Sequence, residues 1–146
     1  MFDDILSFVT KLVNFISVQA RNKRKFQKLL SEVNSWYNSL LLYMDEIILF
    51  LNNENIIGQY NQLLDVEWLE KLYFFTDLRS HLNELNIKLQ GVNKTVIIMF
   101  DLIKAFEVKL QIFNRYILSN SYKYFPNTKQ ILLKVNFVKS QISHKR

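Results

Sequence analysis

The feature that most constrains the fold of this chain is its scarcity of residues that interrupt regular backbone. Its 146 residues include only two glycines, Gly58 and Gly91, and one proline, Pro126. Sheet proteins need many turns, and glycine and proline are among the residues that form them. The sequence therefore predicts an all-α protein of about five helices, and its length suits a single domain.

Apolar residues recur at steps of three and four along most of the chain, which is the spacing of an amphipathic helix. A first helix is predicted near the N-terminus. A second is predicted from about residue 23 to residue 52, through the apolar block Leu40 to Leu51, and the segment around Gly58 is predicted to be the main loop. The repeating residues of the first helix are Ile5, Val9, Leu12, Val13 and Ile16.

The firmest local pattern predicts a long antiparallel hairpin formed by helices at about 66–90 and 93–119. Asp65 suits the N-cap of the first helix, and Gly91 suits its C-cap because glycine tolerates positive φ. Asn93 or Lys94 is predicted to begin the second. Across the hairpin we expect one set of apolar residues to face another, namely Leu82, Leu85 and Leu89 against Val96, Met99 and Ile103.

A heptad pattern runs through the second helix of this hairpin and allows two uses. It predicts either a dimer seam or, more simply, burial against the preceding helix. Its members are Val96, Met99, Ile103, Phe106, Leu110, Phe113 and Ile117. After it, Asn127 or Thr128 can cap a last helix, so we divide the chain into a helical region, 1–125, and a C-terminal helix with a basic tail, 126–146.

Composition excludes several classes of protein. The absence of cysteine excludes disulfides and thiolate zinc sites. The N-terminal sequence "MFDDILSFVT" has acidic residues where a secretory signal carries basic ones. The most apolar block, Leu40 to Leu51, contains Asp45 and Glu46 and is shorter than a membrane span. We therefore expect an intracellular protein, nuclear or cytoplasmic, that does not enter a membrane.

The net charge of +6 is unevenly distributed. Residues 45–84 contain eight acidic and two basic residues, whereas residues 104–146 contain nine basic residues and one acid, Glu107. This asymmetry allows either nucleic-acid binding or neutralisation of an acidic segment by basic ones, within one fold or in a dimer. The densest basic cluster, which is the candidate nucleic-acid contact, comprises Arg21, Lys23, Arg24, Lys25 and Lys28.

One group of titratable residues invites a chemical interpretation. Asp77, His81 and Glu84 share a helix face by their spacing and could ligate a metal ion. Ordinary pairing on a water-exposed helix surface is the simpler interpretation, because metal sites need three or four convergent ligands. No hydrolase, metalloprotease or phosphate-loop motif is present in the sequence. We therefore predict no catalytic residue, no metal, no cofactor and no small-molecule substrate.

Trp36 and Trp68 lie on apolar stripes, which favours core packing over base stacking.

The segment Val66 to Tyr116 resembles a block of hAT-superfamily transposases, in the branch of the BED-zinc-finger and general transcription factor II-I repeat proteins. That branch has a WL…L.FL.D…HLN.LN..LQG string followed by AF..KL..W, and this chain has Phe113 or Asn114 near the position of the last tryptophan. The matching residues here are Trp68, Leu69, Asp77, His81, Leu82, Asn83, Leu85, Asn86, Leu89, Gln90, Gly91, Ala105, Phe106, Lys109 and Leu110.

The resemblance implies a helical insertion domain that interrupts an RNase H-like catalytic core. It places the catalytic Asp residues before Met1 and the catalytic Glu after Arg146, and it implies that about twenty residues are missing near the Tyr43–Met44 junction. Such transposases need carboxylates converging on two metal ions. We therefore predict a non-catalytic fragment, a degenerate remnant or protein-association scaffold, that self-associates or binds a protein partner. The alternative is a module that binds DNA weakly and without sequence preference.

Overall fold

The computed structural model describes residues 2–20, 41–91 and 93–143, and the regular secondary structure within them is helical. The elements are α1 (Phe2–Ala20), α2 (Met44–Asn53), a 3₁₀ helix (Ile57–Leu64), α3 (Val66–Leu89), α4 (Val96–Leu118) and α5 (Pro126–Ser143). These residues contain no strand, so the predicted all-α class is confirmed. Within them, no helix has both the length and the apolar content needed to cross a membrane.

Two predicted features of the first half of the chain are wrong. The predicted helix through residues 23–52 is interrupted at Tyr43, a turn residue, and α2 begins after it; the part of that helix in residues 23–40 lies outside the described residues. The predicted main loop is instead the 3₁₀ helix. Burial explains the second difference, because Tyr60 and Leu63 anchor this segment in the core.

The chain divides into two compact units, Met1–Leu72 and Tyr73–Arg146. In the first unit, α1 buries Ile5, Val9, Leu12 and Ile16, as its apolar spacing predicts. The Phe8 ring lies 4.6 Å from the Trp68 ring and 5.8 Å from the Tyr60 ring, centroid to centroid. Trp68 therefore packs in the core, as predicted, whereas Trp36 lies outside the described residues.

The second unit contains the larger part of α3 together with α4 and α5. The predicted antiparallel hairpin is confirmed, because His81 on α3 contacts Phe113 on α4 while Glu84, further along α3, bonds Lys109, which comes earlier on α4. The predicted facing residues are wrong in part, because Leu82 and Ile103 are exposed. Val96 is 81% exposed, and a small cleft between α3 and α4 is lined by residues that include Leu85, Leu102 and Phe106.

Local capping follows the sequence closely. The Asp65 carboxylate accepts a hydrogen bond from the Glu67 amide at 3.0 Å, which confirms the predicted N-cap of α3. Gly91 has a φ of +145°, which a side chain would strain, as its predicted role after α3 requires. The second helix, α4, begins at Val96 and not at the predicted Asn93 or Lys94, and the hydroxyl of its N-cap, Thr95, accepts from the Ile98 amide.

Candidate functional site

Three polar residues spaced along one face of α3 make contacts outside that helix. We call Asp77, His81 and Glu84 the polar row. Asp77 bonds the start of α5, His81 bonds the connector between α4 and α5, and Glu84 bonds α4. The polar row therefore links α3 to each of the segments that follow it in the second unit.

Asp77 is a buried hydrogen-bond acceptor, with only 2% of its surface exposed. One carboxylate oxygen accepts from the Asn127 backbone amide at 3.2 Å and from the Asn127 side-chain amide at 2.8 Å. The other accepts from the Thr128 amide and hydroxyl, both at 2.8 Å. The prediction that Asp77 lies on a water-exposed surface is therefore wrong, because these four donors compensate for its burial.

The Asp77 carboxylate caps α5 from a distance of fifty residues in sequence. The first amides of a helix have no partner within the helix. Here the Lys129 amide donates to the Phe125 carbonyl, which places Asn127 and Thr128 in the first turn, where both donate to Asp77. The prediction that Asn127 or Thr128 is itself the cap is wrong. A negative charge at a helix N-terminus is also favoured by the helix dipole.

His81 is half-buried rather than fully solvated. Its Nε2 lies 2.8 Å from the Tyr124 carbonyl oxygen, and a carbonyl only accepts, so we assign the ring proton to Nε2. The imidazole centroid lies 4.4 Å from the Phe113 ring and 5.6 Å from the Phe125 ring. The predicted surface pairing of His81 with an acid is therefore wrong, because its partners are a backbone carbonyl and two aromatic rings.

Glu84 is the member of the polar row that matches the predicted surface pairing. Its two oxygens accept from Lys88 at 2.7 Å and from Lys109 at 3.0 Å. The hydrogen bonds from these lysines, with their positive charges, lower the pKa of Glu84 from 4.5 to about 2. Since the side chain is 48% exposed, solvent weakens both pairs.

The lowered pKa of Glu84 predicts a pH dependence of stability. A depressed folded-state pKa contributes stability above the unfolded pKa of 4.5, and that contribution is lost as the pH falls through about 2. We expect Glu84→Gln to lower the free energy of unfolding at pH 7 by less than about 1 kcal/mol, because the pairs are exposed. The difference between wild type and variant in urea denaturation should shrink toward zero at pH 2. An equal difference at both pH values would contradict this assignment.

The arrangement of the polar row suits structure rather than chemistry. A carboxylate has about four lone-pair positions, and four donors already engage those of Asp77. No group of three or more His, Cys, Asp or Glu residues that could hold a metal ion is found among the described residues. What the polar row does is fasten α4, α5 and their connector to α3.

The candidate nucleic-acid contacts predicted from the sequence lie outside the described residues; they are Arg21, Lys23, Arg24, Lys25 and Lys28. Within the described chain, sequence reasoning missed a cavity of about 740 Å³ between the α4–α5 connector and α5. We call it the connector groove, and its lining includes Tyr122, Lys123, Lys129, Leu132, Leu133 and Asn136. The excess of basic residues after Lys104 was the available signal, but it did not indicate which lysines share a cavity.

Comparison with known proteins identifies the family. The family model of the FAM200/GTF2IRD2 helical domain matches residues 41–118, which is more than half of the chain. The chain belongs to this family. The match to the FAM200/GTF2IRD2 helical domain includes the whole polar row and the α3–α4 hairpin, whereas the Asn127 and Thr128 donors lie beyond it.

Two relatives of this FAM200/GTF2IRD2-family chain carry the name general transcription factor II-I repeat domain-containing protein 2. The Bos taurus protein is 33% identical over 147 residues, which cover 88% of this chain. The Mus musculus protein is 29% identical over 145 residues, which cover 87% of it. The chain spans 15% of the length of each relative. No solved structure matches the chain.

The alignment lengths bear on the expected missing segment. The alignment with the Bos taurus relative is longer than this chain, although it covers only 88% of it. The relative therefore has residues in the aligned region that this FAM200/GTF2IRD2-family chain does not have. A longer aligned region in the relative is what we expect if this chain lacks a segment near the Tyr43–Met44 junction.

Proposed function

We propose that this chain is a non-catalytic helical scaffold for protein association, derived from an hAT-type transposase of the branch that includes BED-zinc-finger proteins. Its place in the FAM200/GTF2IRD2 family and the predicted motif between Val66 and Tyr116 support the derivation. The polar row supports a non-catalytic role, because the buried Asp77 carboxylate already accepts the hydrogen bonds that cap α5. A nuclear location fits the name of the relatives, which are general transcription factor repeat proteins.

The observation that carries the proposal is a second apolar stripe on α4. The predicted heptad is divided between two neighbouring faces of α4. Phe113 is buried and Met99 and Phe106 are half-buried, whereas Val96, Ile103 and Leu110 are exposed. Together with Phe100, which is 58% exposed, these three exposed residues form what we call the α4 stripe. Exposed apolar surfaces of this kind mark interaction sites.

The spacing of the α4 stripe favours another helix as its partner. Val96, Phe100 and Ile103 follow one another at steps of four and three, and Leu110 lies one heptad beyond Ile103. This is the repeat with which two helices pack knobs into holes. The simplest partner is the same stripe on a second copy, since one surface then satisfies both sides of a two-fold contact.

The proposal predicts that polar substitution of the α4 stripe weakens self-association. We would replace Val96, Phe100 and Ile103 together by glutamine and measure the apparent Kd by sedimentation equilibrium. We expect the Kd to rise at least about a hundredfold, because each apolar side chain buried at the contact contributes about 1 kcal/mol or more. The matched control replaces three exposed apolar residues elsewhere, Leu64, Val66 and Ile87, by glutamine.

An unchanged Kd in the stripe variant would contradict the scaffold. The alternative function, non-specific nucleic-acid binding, is favoured by the nine basic residues against one acid in residues 104–146. It predicts binding to duplex DNA of any sequence, with an affinity that falls steeply as salt is raised. That result in the absence of self-association would support the alternative instead.

A further inference from the structure

The connector groove has positive charge beside an apolar wall. Lys123 and Lys129 line it and form no ion pair with an acid among the described residues; the Lys123 ammonium lies 5.7 Å from the centre of the Tyr124 ring. Leu133, which lies on α5 one turn after Lys129, is 61% exposed. A surface of this composition is complementary to one that presents both carboxylates and an apolar side chain.

Such a surface exists on α2. Asp45 and Glu46 are exposed and form no ion pair within the described part of the chain. Leu49, one turn later, is 61% exposed, and Asn52 follows it on the exposed side. We call Asp45, Glu46, Leu49 and Asn52 the α2 face.

The two surfaces match in spacing as well as in charge. Lys129, Leu133 and Asn136 follow one another on α5 at steps of four and three, and all three are exposed. Asp45, Leu49 and Asn52 have the same steps on α2. Both segments are helical, so α5 of one copy can lie parallel to α2 of another with these residues in register. The Lys129 ammonium then faces the Asp45 carboxylate, the two leucines face each other, and so do the two asparagine amides.

We infer that the connector groove of one copy binds the α2 face of a second copy. This inference rests on the proposed association function, to which it adds the partner and the place of contact. The charge distribution of the whole chain has the same polarity, since residues 45–84 are acidic and residues 104–146 are basic. The contact joins two different surfaces, so it either closes into a ring or continues into longer assemblies.

The test uses the full chain in which Val96, Phe100 and Ile103 of the α4 stripe are already replaced by glutamine, so that the stripe contributes little to the association that is measured. The groove variant carries Lys123→Glu and Lys129→Glu, and the α2-face variant carries Asp45→Lys and Glu46→Lys. Each keeps one partner surface intact. We expect either variant alone to associate at least about tenfold more weakly than its parent, because like charges now face each other. An equimolar mixture should recover association through the one surface pair that remains intact.

Recovery in the mixture supports the contact, because two misfolded variants would not restore each other. Lys134→Glu makes the same lysine-to-glutamate replacement once on α5, outside the groove lining, and should leave the Kd unchanged. Equal association by parent and both variants would overturn the inference, as would a mixture no stronger than its components. A third outcome would also overturn the inference: the copies do not associate, and a single-stranded oligonucleotide binds at Lys123 and Lys129. The partner of the connector groove would then be nucleic acid. The α4 stripe is already disrupted in this background, so failure of this contact leaves the scaffold proposal to its own test.

Discussion

Replacing Phe125 by alanine is expected to lower the free energy of unfolding by about 3–5 kcal/mol. Phe125 is 1% exposed, and it occupies the position just before α5. Its ring stacks on Phe74 at 5.2 Å and meets Phe113 edge to face at 5.1 Å. Removing the ring leaves a cavity bordered by aromatic side chains that lose their contacts. Urea denaturation followed by circular dichroism measures the change.

The matched control is another phenylalanine of the same unit. Phe137 on α5 is 64% exposed, so Phe137→Ala should change the free energy of unfolding by no more than about 0.5 kcal/mol. The comparison holds the chemical change constant and varies only burial. If the two substitutions had equal effects, the second unit would not have its core at Phe125.

Asp77→Ala is expected to lower the free energy of unfolding by about 3 kcal/mol, more than an ordinary helix cap contributes. The substitution leaves four donors from Asn127 and Thr128 without their acceptor. Thr128 is itself buried, so water cannot easily replace the carboxylate. Urea denaturation gives the magnitude. Hydrogen exchange should also show faster exchange of the Asn127 and Thr128 amides.

Two comparisons separate the remote cap from a general effect of removing a carboxylate. Asp65 caps α3 locally and is exposed, so Asp65→Ala should cost only about 1 kcal/mol. Asp77→Asn preserves the shape but turns one acceptor into a donor that faces other donors. We expect it to remain strongly destabilising. An Asp77→Asn protein as stable as wild type would show that the carboxylate is not needed.

What sequence alone predicted well was local. The rarity of glycine and proline predicted an all-α chain, and apolar spacing located α1, α3 and α4. Asp65 and Gly91 were assigned because caps act within one turn of the helix end, where neighbours in sequence are neighbours in space. Motif resemblance pointed to the family to which the chain belongs.

Tertiary structure decided which face of each helix is used. Helical spacing places Asp77, His81 and Glu84 together but cannot show what lies opposite them. The partners of Asp77 come fifty residues later, and the carbonyl that His81 bonds belongs to the same connector. A residue two positions from solvent in sequence can thus be fully buried.

The apolar pattern of α4 shows the same limit. Val96, Phe106 and Phe113 all belong to one regular heptad, yet the structure exposes the first and buries the last. Hydrophobic periodicity reports that a side chain favours burial, whereas the packing of neighbouring helices selects the face that is covered. For this chain the sequence determined the helices and their local ends. The structure determined which carboxylate caps α5 and which apolar stripe remains open, because both depend on contacts between residues far apart in sequence.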